Sequence, residues 1–251
     1  MKLILNADDF GFSHSVNRGI VEGLSQGFVS SATMMMNTPY TNEAIEFARK
    51  LKLKHIGIHL NLTYGFSVLP SNEVSSLVDE TGRFHYVCML GYYTQYLDAK
   101  KELRAQIEKF LKAGLVPTHL DYHHYFHEVP NIFKAYLELA KEYNLPIRTM
   151  TEETRELAKQ AGVLTTDAFS FDFHNDYGVN LETLRKIVKK YKNTNKTVEV
   201  LTHIGYIDEY TQNETNYLIR EKEIEVLKQA KQEGVFDGIE LVGFDCLKKK
   251  K

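Results

Sequence analysis

Short apolar runs alternate with amphipathic stretches along the chain. Lys2–Asn6 (KLILN) is an apolar run of strand length. Ser15–Gln26 repeats Val16, Ile20, Val21 and Leu24 at helical spacing, and Gly27 follows where a left-handed cap belongs. Ser31–Met36 reads as a second strand and Asn42–Leu51 as a second helix. Lys54–Thr63 (KHIGIHLNLT) alternates as a third strand does. A helix over Ala99–Ala113 stops at Gly114, a strand opens at Pro117–Asp121, and Pro130 begins a helix reaching Tyr143, a position where proline is well tolerated. Further strands are predicted at Ile147–Met150, Ala168–Phe171, Thr197–Thr202 and Ile239–Val242. Helices are predicted over Glu152–Ala161, Leu181–Tyr191 and Asn216–Glu233.

This rhythm predicts an α/β fold with helical crossovers between parallel strands. About seven or eight units point to an irregular (β/α) barrel rather than an open sheet. No linker, repeat or low-complexity segment divides residues 1–251, so one domain is expected. One stretch, 64–93, has neither period. It carries Phe66, Phe84, Tyr86, Tyr92 and Tyr93. A connection this long suggests a lid over the site or a dimer contact.

Composition narrows the partners. The net charge is −2, so no basic field for nucleic acid is expected. No run approaches the roughly 18 apolar residues of a membrane span, and Leu3–Leu5 is too short for a signal-peptide core. The expected location is the cytoplasm. Cys88 and Cys246 are too few for a disulfide framework and are read as unrelated thiols. The unusual feature is histidine: ten in all, four of them within His119–His127.

In α/β folds ligands bind beyond the carboxyl ends of the strands. Strand one ends in Asn6-Ala7-Asp8-Asp9, strand three in His59-Leu60-Asn61, strand four in His119-Leu120-Asp121-Tyr122-His123-His124, and a late strand in Thr202-His203. Taken singly, adjacent acids after a strand often cap a turn, and a lone histidine on a strand is more often core. Taken together they lie far apart in sequence, but a barrel brings them to one rim. Alternation puts Gly57, His59 and Asn61 on one small, polar face. His119, Asp121 and His123 share a face likewise. Imidazoles and carboxylate at strand spacing form a metal-site pattern, with no single ligand set forced.

Two imidazoles and one carboxylate leave coordination positions open, as catalysis requires. Hydrolysis then needs a base near a water and an acid near the leaving group. Asp8, spare beside Asp9, can be the base and His203 the acid. Neighbouring strand residues face opposite ways, so both acids reach the site only if the chain turns there; Phe10-Gly11 makes that turn feasible.

These residues resemble the YdjC-like carbohydrate deacetylases, which include bacterial chitooligosaccharide deacetylases. The resemblance lies in NADDFG at Asn6–Gly11, GIHLNLT at Gly57–Thr63 and THLDYHHYFHEVPNIF at Thr118–Phe133, with a weaker echo in LTHIGY at Leu201–Tyr206. It implies metal ligation by Asp9, His59 and His123, Asp8 as base and His203 as acid. It also implies a barrel related to glycoside hydrolase and deacetylase barrels, removal of N-acetyl groups from sugars during carbohydrate breakdown, and a homodimer. His119, Asp121, His124, His127, Arg148 and Asn61 fall to supporting or substrate-binding roles. The implied ion is Mg²⁺, although a two-imidazole donor set suits Zn²⁺ or another transition ion better. Tyr122 and Tyr125 replace the usual Ser and His, and Ile204 the usual Pro, which bears on the sugar rather than on the reaction.

A phosphorylated sugar is a further possibility for the substrate. Without Trp, any aromatic platform for a sugar must be Tyr or Phe; Tyr64, Phe66, Tyr86, Tyr92, Tyr122, Tyr125 and Tyr177 are candidates. Two rival readings use the same residues: a metal-dependent sugar-phosphate phosphoesterase, and a sugar-binding protein without turnover. Phosphate release would choose the first, and tight binding without turnover the second.

Overall fold

In the computed structural model, residues 1–124, 129–212 and 219–248 are described. The first strand is the longest. β1 runs Lys2–Phe10 and extends beyond the predicted run through both aspartates. α1 (His14–Gln26) follows, with Ser13 Oγ accepting from the Val16 N–H at its start and Gly27, at φ +67°, closing it. β2 (Ser31–Met34), α2 (Thr41–Lys50) and β3 (Ile56–Leu60) complete the first half. The one-turn α3 (Leu90–Tyr93) and the long α4 (Tyr96–Lys112) lead to β4 (Leu120–Tyr122). α5 (Pro130–Glu142) begins at its proline and α6 (Glu152–Gln160) at a Thr151–Thr154 capping box. Then come β5 (Ala168–Ser170), the one-turn α7 (Asn175–Gly178), α8 (Leu181–Tyr191) and β6 (Thr197–Thr202). A one-turn α9 (Glu209–Gln212), α10 (Arg220–Gln232), the two-residue β7 (Glu240–Leu241) and a 3-10 turn at Phe244–Leu247 follow. Residues 216–218 of the predicted last helix lie outside the described residues.

All seven strands pair in parallel, in the order β4-β3-β2-β1-β6-β5, with β7 beside the start of β1. The expected strand at Ile147–Met150 shrinks to bridges from Ile147 to Leu120 and to Thr165. Beyond it the Arg148 carbonyl accepts from the Tyr136 hydroxyl instead of a ladder N–H, and Thr151 already caps the next helix. These single bridges carry the wall from β4 toward β5, so the barrel is complete only in outline.

The strand faces divide sharply. Leu3, Leu5, Ala7, Ala32, Met34, Ile56, Ile58, Leu60, Val198 and Val200 pack in the apolar core shared with the helices. The inner face instead carries Asn6, Asp8, Thr33, His59, Asp121 and Glu199, all buried. Parallel register places Thr33 beside Gly57 and His59 beside Asp121. A barrel of this kind ordinarily fills its interior with branched aliphatic side chains. Here hydrogen bonds and ion pairs fill it.

The 64–93 excursion is a small element in its own right. Antiparallel bridges join Phe66 to Arg83 and Val78 to Phe84, and Val74, Leu77, Val78, Phe84 and Leu90 are buried. Among the described residues no helix is long and apolar enough to cross a membrane. Both cysteines are free thiols.

Candidate active site

The turn that two adjacent aspartates require is present. Asp9 sits at φ +69°, and the register between β1 and β2 shifts between Ala7 and Phe10. This bulge lets Asp8 and Asp9 face the same pocket, at the cost of a backbone region that non-glycine residues seldom enter. Gly11, at φ +101°, continues the turn; a Cβ there would sit 3.1 Å from the Met35 carbonyl oxygen.

Three side chains meet around one point. Asp9 Oδ1 lies 3.2 Å from His59 Nε2 and 3.0 Å from His123 Nδ1, and the two ring nitrogens are 3.3 Å apart. Atoms held at about 2.1 Å by one ion lie roughly 3.0 Å apart at right angles and ~3.4 Å apart in a tetrahedron. The spacing and the donor set therefore fit one divalent metal ion. His59 Nδ1 is 2.8 Å from Asp121 Oδ1, the carboxylate support that orients a ligating imidazole. The Thr33 hydroxyl donates to Asp121 Oδ2 at 2.8 Å. The ring of His119 lies lower in the barrel, stacked on Phe244 at 3.7 Å, and Gly57 leaves room for it: a Cβ there would lie 2.4 Å from His119 Nδ1. Its ring bonds to Thr118 rather than to any of these three residues.

Asp8 stands beside the cluster, bound by both Arg148 Nη atoms at 2.6 and 2.8 Å. Asn6 donates to its Oδ1 at 2.8 Å. The same guanidinium reaches Asp121 Oδ2 at 3.0 Å and, through Nε, Glu199 Oε1 at 2.6 Å. One fully buried arginine thus serves three carboxylates. Burial pushes the Asp8 carboxyl toward protonation, but Arg148 and His59 outweigh it and hold its pKa below the ordinary value. Burial is likewise overcome at Asp9, where His123 and Arg220 hold the pKa well down. His59 goes the other way: burial disfavours its charge, yet Asp121 and Asp8 raise it to about 10 in the metal-free site. At Glu199 burial wins over Arg148, and the pKa rises to about 7.

On the β6 side, His203 follows the strand, its backbone N–H donating to Glu223 Oε2 at 2.5 Å. Burial lowers its imidazole to about 3, Asp9 and Asp8 notwithstanding. Glu223, on α10, is fully buried, and burial lifts its carboxyl to about 8. His174 lies beside His203, ring centroids 5.3 Å apart.

The pocket these residues share has a volume of about 380 Å³, room for a small ligand. Of the aromatic candidates, Tyr64 and Tyr122 line it; Phe66, Tyr86, Tyr92 and Tyr177 do not, and Tyr125 is outside the described residues. Phe169 and Phe171 line it unforeseen. His124 lies at its edge, Nδ1 2.8 Å from the Thr63 hydroxyl. His127 lies outside the described residues. Asn61 holds the loop after β3 rather than the pocket: its amide donates to the Tyr64 carbonyl at 2.7 Å and accepts from the Thr63 and Tyr64 N–H groups.

Sequence reasoning missed Arg220, Glu223, Glu199 and His174. Arg220 pairs with Asp9 Oδ2, which leaves Oδ1 to the two histidines. In the sequence Arg220 is one charge among many in a helix predicted from Asn216, a pattern that reads as solvated surface. Glu199 could have been found, as a charge amid the apolar strand Val198–Val200.

A profile of the YdjC-like protein family matches residues 2–235. The chain belongs to that family. It is 37% identical over 247 residues to a carbohydrate deacetylase of Clostridium beijerinckii, covering 97% of this chain and 99% of that one. It is 38% identical to a carbohydrate deacetylase of Brevibacillus brevis over 92% of each chain. Among solved structures, an Enterococcus faecalis protein provisionally assigned to cellobiose-phosphate cleavage superposes with a TM-score of 0.92 at 32% identity, over 99% of both chains.

Proposed function

We propose that this protein is a carbohydrate deacetylase that hydrolyses the N-acetyl group of an acetylated sugar. The observation that carries this reading is the convergence of Asp9, His59 and His123 beside an ionised Asp8 in one pocket, in a chain so similar to named carbohydrate deacetylases. Asp9, His59 and His123 hold the ion. When bound, a divalent ion there polarises the acetamide carbonyl and makes a nearby water more acidic.

The rest falls to the chain's own residues. Asp8, kept ionised by Arg148, takes the proton of the attacking water. The resulting hydroxide adds to the acetamide carbon. His203 gives a proton to the sugar nitrogen as the C–N bond breaks, leaving acetate and the free amine. Burial holds the His203 pKa at about 3, so the ring is neutral at rest and carries a proton only in passage, relaying the one Asp8 takes off the water to the departing nitrogen. Arg148 positions Asp8, Asp121 positions His59, and Arg220 positions Asp9. Tyr64, Phe169 and Phe171 offer faces for a sugar ring.

The physiological ion in this reading is Mg²⁺, from the family resemblance, with Zn²⁺ the alternative that the two imidazoles favour. The protein works as a cytoplasmic homodimer, and the exposed Tyr86, Tyr92, Tyr93 and Leu97 at the end of the excursion are the surface assigned to pairing. The deciding experiment incubates the protein with N-acetylated mono- and disaccharides, phosphorylated and not, and measures acetate with and without a chelator. Chelator-sensitive acetate release is expected. No acetate from any member, or release of phosphate instead, overturns the reading.

A further inference from the structure

The pocket holds a second cluster of donors that the reaction above uses only through His203. One donor atom from each of His174, His203 and Glu223 lies within 4.8 Å of the others. The Glu223 side chain is fully buried, and its Oε1 has no hydrogen-bond partner among the described residues, while Oε2 accepts from the His203 backbone. His174 Nδ1 is also buried without a partner among the described residues, and the His203 ring lines the pocket beside it. Buried polar atoms left without partners are scarce in folded proteins, and an ion or water commonly accounts for them. Two imidazoles and one carboxylate, the same donor types as in the first cluster, suit a borderline transition metal better than Mg²⁺, which prefers oxygen.

We propose that His174, His203 and Glu223 form a second cation site, selective for a transition metal such as Zn²⁺, whose occupation inhibits the enzyme. The first cluster's donor atoms already lie 3.0 to 3.3 Å apart, whereas among the described residues no ion pair joins the donors of the second within their 4.8 Å bound, so these side chains must draw together around the ion. The second site is therefore the weaker one and fills only at excess metal. Occupation ties up the lone pair of the His203 imidazole. That ring then cannot carry the proton the departing amine needs. The inhibition rests on the acid role given to His203 above; the binding does not.

The two claims separate by experiment. In the double variant His59→Asn/His123→Asn, calorimetric titration with Zn²⁺ alone is expected to find one ion per chain. Adding Glu223→Gln, which keeps an acceptor for the His203 N–H, or His174→Phe, which keeps the ring stack, should weaken it at least tenfold. No bound Zn²⁺ in the double variant, or binding that neither change weakens, overturns the site. Should the double variant not fold, the wild type is expected to take two Zn²⁺ per chain and Glu223→Gln one; one in both overturns the site. With Mg²⁺ saturating, acetate release by the wild type should fall as Zn²⁺ is added, and Glu223→Gln should raise the half-inhibiting concentration about tenfold. An unchanged concentration overturns the inhibitory role. If no acetate is released under any condition while the second ion binds, the deacetylase reading fails and the site stands.

Discussion

Arg148 divides one guanidinium among Asp8, Asp121 and Glu199, and Asn6 and Thr33 bond to two of those carboxylates. Across the pocket, in the cluster of His174, His203 and Glu223, one nitrogen, His174 Nδ1, and one oxygen, Glu223 Oε1, have no partner among the described residues. The two groups border one cavity, yet one is buried throughout and locked by ion pairs, with Glu199 Oε2 its loose oxygen, and the other is more open, His174 and His203 being half-buried. A carboxylate that must keep one charge and one direction gains from several fixed donors. A ring that must gain and lose a proton cannot be held in that way, because every permanent partner would favour one of its two states. Asp8 belongs to both sides of this contrast: Arg148 keeps it ionised at rest, and it takes up a proton only as the water attacks.

The sharpest way to break the comparison is to neutralise the locked base. Asp8→Asn should lower deacetylation by about 10³-fold or more, within the range general-base groups supply, while metal content by elemental analysis stays at the wild-type level. Near-normal turnover would remove Asp8 from the role. Next in size is the lock itself. Arg148→Met leaves three buried carboxylates without their cation and should cost about 3–5 kcal/mol in urea unfolding, as breaking a buried ion pair does. A change under ~1 kcal/mol would mean that the carboxylates are neutral in the fold and the lock is not electrostatic.

The third prediction concerns pH. The metal-free pKa of His59 is raised from its ordinary 6.5 to about 10, so between these values the folded chain binds more protons than the unfolded one at this ring. The stabilisation is complete below about 6.5 and is lost as pH rises through about 10. Melting temperature should therefore fall over that window in chelator-treated protein. It should fall less with metal bound, because a ligating imidazole carries no extra proton. Equal slopes in the two samples would contradict a charged His59–Asp121 pair. The smallest effect should come from Glu199→Gln. Burial already lifts this carboxyl to about 7, so below that pH the substitution replaces one neutral acceptor by another. A loss under ~1 kcal/mol at pH 6 is expected. A loss comparable to that of Arg148→Met would make Glu199 an essential anion of the lock.

Much of this arrangement was legible beforehand. The βα rhythm placed nearly every element, because apolar spacing is a local property that survives into the fold. Asp8, Asp9, His59, Asp121, His123 and His203 stood out as polar residues where strand propensity asks for none. The failures have physical causes. Ile147–Met150 has strand composition, but Tyr136 takes its carbonyl and α6 begins at once. His119 looked like part of the metal cluster because it shares parity with Asp121 and His123, yet the rise along a strand sets it a layer lower, against Phe244. Asn61 shares parity with His59 but sits past the strand end, where it binds the loop. Arg220 and Glu223 come from a helix more than 200 residues after Asp9, with a pattern that reads as surface.

The succession of elements, the alternation of faces and the residue types at each strand end are written in neighbouring positions, so the chain alone pointed to a barrel and to the acids and imidazoles of its rim. Which atoms meet is a different kind of fact. The +69° turn at Asp9, the sharing of Arg148 by three carboxylates and the pairing of Arg220 with the far oxygen of Asp9 each join segments distant in sequence. No local pattern encodes a contact across the barrel, because burial and opposing charges select it only once the strands have closed around it.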